Sequence, residues 1–250
     1  MAAAPVIPPQ EAAPLSEPAR VINTFIAPRK TFADLRRSAS WWAPFILMVI
    51  VSLVFVFVAG QKVGFRKLTE NQLQTTPKQA AQLDNLPADQ RERQMEARTT
   101  GTKIFSYIFP VFSLLVWLIM AAVLYGTVKF AASADVKFKA IFALLVYAGL
   151  PGLLKAVLVI LSLAAGVNAE SFTFQNPIAT NPGYFIDPAA NPVLRAFGTS
   201  FDLFTIWTLV LVSIGLTCIA KVKSGTAYGI VFGWFAVVVL LGTGVAALFA

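Results

Sequence analysis

Lys155 is the residue through which this chain has most scope for chemistry. It stands in a long apolar stretch, four residues after Pro151 and three after Gly152. An ammonium at the centre of a membrane helix costs about 2.5–3.5 kcal/mol on insertion scales, so such a group faces protein or water. Beside a backbone interrupted by Pro151 and Gly152, free amides and carbonyls can line a small polar cavity. The functional reading is therefore an intramembrane polar site of Lys155, Pro151, Gly152 and Asp202, contacting an anion or a lipid headgroup. The plainer reading lets the break lift Lys155 toward the interface, where its stem snorkels. Asp202, ahead of the next apolar run, is either the partner of Lys155 or a carboxylate placed at a helix N-terminus.

Other chemistry is scarce. The chain has no histidine, which removes His-based triads, HExxH zinc sites and His general bases together. Its one cysteine, Cys218, lies inside an apolar run and allows no intrachain disulfide. GxxxxGK[ST] is absent. The sequence thus offers no catalytic set, no metal ligands and no cofactor site, and a non-enzyme is expected. Gly225, Gly229 and Gly233 give two overlapping GxxxG spacings. They place three positions without side chains on one helix face, where another helix of this chain or of a second copy can approach closely.

The elements that must hold these residues are membrane spans. Of 250 residues, 57% are hydrophobic and 13% charged, with a mean hydropathy of +0.72. Residues 38–61, 104–128, 203–220 and 224–250 contain no Asp, Glu, Lys or Arg, and each run is long enough to cross a bilayer. Span one is expected over Trp41 to about Ala59, and span two over Ile104 to about Val128, with Pro110 bending its start. Spans four and five follow from Leu203 to Ala220 and from about Thr226 to Leu248. Residues 138–166 form the third, either one span kinked near Pro151 or a re-entrant hairpin. The fold class is all-α, an integral membrane bundle of five transmembrane helices.

Outside the spans, residues 1–20 carry five prolines and read as a disordered Ala/Pro-rich tail. Residues 21–40 read as an interfacial amphipathic segment, with Val21, Ile22, Phe25 and Ile26 on one face. Thr31 and Asp34 have capping-box spacing, so a second short helix is expected to start there. The five-span domain occupies residues 41–250. Between spans one and two, PADQRERQMEAR is expected to be a solvated helix that begins at Pro87. The third loop repeats Asn-Pro at 176, 181 and 191, with Asp187-Pro188 between, which favours turns. Its aromatic residues should fold it onto the membrane surface.

The formal charge of +8 comes largely from residues that flank spans. It is assigned to lipid headgroups and topology rather than nucleic acid. Basic residues of the N-terminal segment and of loops two and four would share one side. The third loop has only Arg195, so a cytoplasmic N-terminus and an external C-terminus are expected. Eight basic residues of the first loop argue the other way, but five acids accompany them.

Several local patterns agree with one family: IAPRKTF before WWAPF, then VYAGLPGLL, then FDLFTIWTLVLVSIGL with a lysine-containing turn after it. Together they resemble bacterial members of the Yip1 domain family, over about residues 20–250. The resemblance implies a five-span membrane protein, known in eukaryotes from vesicle trafficking and association with prenylated Rab GTPases. The acidic-Leu-Tyr-Gly-Pro motif of the eukaryotic members is missing ahead of the first span, so GTPase binding does not carry over. The implied partners are the lipid bilayer and other membrane proteins or a second copy, in the bacterial inner membrane. The alternative is a small-solute or ion transporter that uses the broken third span around Pro151 and Lys155.

Overall fold

In the computed structural model, residues 13–166, 172–187 and 190–249 are described. Among them the secondary structure is helical, without strands. Four helical runs are long and apolar enough to cross a membrane, and a bent pair, taken as one span, gives five.

The first two helices are α1 (Glu17–Ile26) and α2 (Pro28–Leu35). α1 begins within the segment read as tail, because Ser16 caps it and Pro18 suits its first turn. That corrects the tail's expected end at residue 20; residues 1–12 lie outside the described residues. Val21 and Phe25 pack on the core, whereas Ile26, 76% exposed, and Ile22 face outward. α2 starts at Pro28 rather than at a Thr31–Asp34 capping box. A proline at the first helical position fixes φ and loses no hydrogen bond there.

Span one is α3 (Trp42–Lys62), after which Gly64, at φ +85°, turns the chain into α4 (Phe65–Gln74) and then α5 (Pro77–Asp84). Span two is the apolar part of α6 (Ala88–Ala131), whose 44 residues extend about 66 Å. The hydrocarbon core takes about 30 Å of that, and the polar N-terminal half projects beyond it as the expected solvated helix. Leu73, Leu83 and Met95 join α4, α5 and α6 in a small apolar cluster of their own.

Span three is α7 (Phe138–Ala148) followed by α8 (Leu150–Ala164), which form one run of 27 residues. The junction, Gly149, keeps near-helical angles, φ −74° and ψ −10°, so the kinked-span reading applies rather than the hairpin. Pro151 falls in the first turn of α8, where its missing N–H is tolerated. The sharp bend lies elsewhere: α9 (Pro192–Ser200) and α10 (Leu203–Ile219) meet at 43°. Span five is α11 (Ser224–Phe249).

α7 is the hub. All nine residues from Ala140 to Ala148 are buried, against α2, α6 and α10. A helix apolar on every side belongs inside a bundle, whereas α3, α6 and α11 expose Ile50, Phe57, Ile119 and Leu240 outward. In the third loop, Asn181 and Asn191 precede a 3-10 turn (Pro182–Phe185) and α9, each with proline at the first position. Of the expected turns, the one at Pro188 lies outside the described residues. Phe172 and Phe174 pack edge-on against Phe55 of α3.

Candidate functional site

Lys155 of α8 and Asp202, the N-cap of α10, form an ion pair. Lys155 Nζ donates to Asp202 Oδ2 over 2.8 Å, with the side chains 21% and 5% exposed. The carboxylate is fully engaged. Thr180 Oγ1 and Asn181 Nδ2 also donate to Oδ2, the latter over 3.4 Å. The Phe204 amide donates to Oδ1 over 3.0 Å. Asn181 is held in turn by a reciprocal amide pair with Asn176, and the Leu203 amide donates to the Thr180 carbonyl. Asp202 therefore acts both as partner of Lys155 and as helix cap, and it pins the third loop onto α8 and α10.

Pro151 and Gly152 take no part in that network. Pro151 is buried and Gly152 exposed. Gly152 and Gly149 instead line a cavity of about 560 Å³ between α3, α6 and α8. On α3 its wall runs from Phe45 to Val56, and on α6 from Thr102 to Trp117. It therefore extends on the order of 20 Å along the helices. The wall is apolar over most of that length, with Gln72, Thr102 and Gln175 at one end. Pro110 lies in this wall and deprives the Ser106 carbonyl of its usual helical partner. Phe105 and Phe109 in the same wall are half exposed, so the cleft is open at its side.

A second buried charge went unnoticed in the sequence, where Arg20 counted as a headgroup contact. It is 3% exposed. Its Nε donates to Asp34 Oδ2 over 2.7 Å, with Nη2 equally close, and Nη1 donates to Glu17 Oε1 over 3.0 Å. Tyr147 of α7 donates its hydroxyl to Glu17 Oε2 over 2.7 Å. Thr24 and Thr31 both donate to the Arg20 carbonyl. Burial pulls the Arg20 guanidinium down, but the hydrogen bond and charge of Asp34, with Glu17, outweigh it and hold the group above its ordinary value. The signal was Tyr147: a tyrosine in the middle of an apolar helix needs a partner for its hydroxyl.

Within the chain, close helix approach is made at Gly215 rather than along the glycine row of α11. A Cβ built on Gly225, Gly229 or Gly233 meets nothing within 4 Å, whereas one on Gly215 comes within 2.0 Å of Leu144 Cδ1. α10 thus lies on α7 through Gly215. In the third loop Gly183 and Gly198 face each other. A Cβ on Gly183 would sit 2.5 Å from the Arg195 carbonyl oxygen, and one on Gly198 would sit 2.8 Å from the Gly183 nitrogen.

A family model for the Yip1 domain matches residues 22–246. The chain belongs to the Yip1 domain family. No curated protein and no solved structure matches it. As a Yip1 domain protein it is an integral, multi-pass, all-helical membrane protein, in contact with lipid along its spans. Among its described residues no group of three or more His, Cys, Asp or Glu side chains is placed to hold a metal ion.

Proposed function

We propose that this Yip1 domain protein works without enzymatic chemistry, through lipid or protein contacts made within and at the surface of the membrane. The observation that carries this reading is that the charges drawn into the bundle serve the fold: Asp202 is saturated by Lys155, Thr180, Asn181 and the Phe204 amide. Arg20 is likewise held by Asp34 and Glu17. What remains open to the membrane is apolar, namely the side of the α3–α6–α8 cleft and the glycine row of α11. Among the described residues nothing lies within 4 Å of a Cβ built on that row, so its packing partner would be a second copy or another membrane protein. The basic residues around loops two and four support an inner-membrane orientation with the N-terminus cytoplasmic.

The test is extraction in a mild detergent, followed by mass spectrometry of retained lipids and proteins. A stoichiometric protein partner or a retained lipid is the expected result. A hydrolytic or transfer activity that tracks with the purified chain would overturn it. A transporter or channel around Pro151 and Lys155 is the second reading, favoured by the cleft's reach to the break at Gly149 and Gly152. Uptake of a small solute into proteoliposomes, absent from empty ones, would select it.

A further inference from the structure

Three segments far apart in sequence meet where α2 ends. They are Arg36, the 131–135 connection between α6 and α7, and the 220–223 turn between α10 and α11. Together they line an open, surface-facing cavity of about 520 Å³, in the range of small-molecule sites, about 300–1,000 Å³. Its charges are lopsided, with Arg36, Lys221 and Lys223 against one acid, Asp135. Among the described residues none of these three cations has a carboxylate within ion-pair distance. That contrasts with Arg20, Arg66 and Lys155, which are all paired.

The backbone adds to the positive lining. Thr226, in the first turn of the 26-residue α11, borders the cavity, so the free amides and positive dipole end of a long helix lie alongside the three cations. Ser133 and Lys221, in the same wall, are the two described non-glycine residues with positive φ, +48° and +54°. Gathering three cations from two connections, Arg36 after α2 and Lys221 with Lys223 in the turn before α11, is unfavourable in itself, and an anion between them reverses the sign. The residues on either side of this turn belong to spans four and five, which places the cavity at the membrane surface, at the depth of lipid phosphates.

We propose that this cavity binds a phosphate-bearing anion, with Arg36, Lys221 and Lys223 as its cationic contacts and the first turn of α11 beside them. The phosphate comes from an anionic lipid headgroup or from a free phosphate in solution. The inference deepens the lipid half of the function proposed above, and its lipid arm rests on that reading.

The experiment uses the full chain, purified in dodecyl maltoside in a phosphate-free buffer. Thermal unfolding is followed with phosphatidylglycerol against phosphatidylcholine in the micelles, and with sodium phosphate against chloride at equal ionic strength. Lys221→Asn with Lys223→Gln removes two contacts while keeping a residue type that tolerates positive φ at 221. Arg36→Gln, at a position of ordinary backbone, is the independent second probe. Lys62→Gln with Lys103→Gln is the control, removing the same charge from α3 and α6, outside this cavity.

Phosphatidylglycerol should raise the melting temperature of the parent and the control, and half-saturation should weaken about tenfold or more in the 221/223 double variant. If phosphate acts in the same way, the source is a free phosphate as well as a lipid; if only the lipid acts, the source is the headgroup. The proposal is overturned if neither compound stabilises the parent, if both cavity variants respond as the parent does, or if the control loses as much as they do. Such a failure leaves the function proposed above intact, because partner and lipid retention along the spans does not depend on these three residues. Discovery of an activity would overturn that function without touching the phosphate result.

Discussion

Lys155 on α8 and Asp202 at the head of α10 stand 2.8 Å apart, 47 positions apart in sequence, and the same carboxylate oxygen anchors Thr180 and Asn181 of the third loop. Removing the lysine leaves a carboxylate, 5% exposed, with hydrogen bonds but no countercharge. Breaking a buried pair from one side costs about 3–5 kcal/mol, reduced here because the lysine end is partly open. Lys155→Met is expected to lower the melting temperature in detergent, and Asp202→Asn to do the same. The double variant should then recover about 0.5–3 kcal/mol relative to the sum of the singles. Strict additivity in that cycle would sink the clamp assignment. Normal lipid retention by Lys155→Met would identify the pair as structural rather than ligand-binding.

Arg20 depends on Asp34 in the same way, with less solvent to help. Asp34→Ala strands a guanidinium that is 3% exposed and should release α1 and α2 from α7. The cost is on the order of 3–5 kcal/mol, and limited trypsin digestion should then cut at Arg29 or Lys30. Tyr147→Phe, which removes one hydrogen bond to Glu17, should cost only about 0.5–1.5 kcal/mol. Equal effects of the two variants would contradict the ranking.

Gly215 and Gly229 should behave oppositely. Gly215→Ala drives a methyl into Leu144, a fully buried side chain of α7, and such overpacking costs about 1–3 kcal/mol. Leu144→Ala is expected to relieve part of that cost in the double variant, which a thermal melt can measure. Gly229→Leu meets open space within the chain and should leave the melt unchanged, altering only self-association seen by crosslinking. A large loss of intrinsic stability in Gly229→Leu would show that the row packs inside one copy.

Chain topology is testable at its two ends. Arg36, Ser133 and Lys221 line one cavity, so the N-terminal segment shares a face with loops two and four. At the other end of the bundle, Lys78 of α5 donates to the Leu248 carbonyl over 3.0 Å, which puts the end of α11 with loop one. Reporter fusions at the two termini should therefore report opposite sides of the membrane, the N-terminal one cytoplasmic. Signals from the same side at both ends would rule out an odd number of spans.

The number and order of the spans were legible in the sequence because the signal is local: an uncharged run of sufficient length needs no partner to be recognised. Trp41, Ile104, Leu203 and Thr226 fall within a few residues of where membrane helices begin or turn apolar in the structure. The Asn-Pro pairs at 181 and 191 were expected to favour turns, since their backbone preference acts within the segment itself; the first opens a 3-10 turn and the second caps α9. Lys155 could be singled out because one charge in an apolar run is conspicuous in one dimension.

What only the tertiary structure decided is which residues meet. GxxxG spacing in α11 announced a face able to pack but not a neighbour, whereas the close contact inside the chain is made at Gly215, where α10 lies on α7. Arg20 looked like one more basic residue beside a membrane until α2 brought Asp34 to it across 14 positions. The cavity brings Arg36 to Lys221 and Lys223, which lie some 185 positions further along the chain. Hydropathy and turn preference are properties of a segment and survive reading in one dimension, whereas burial, ion pairing and close packing are relations between segments that come into being when the helices associate.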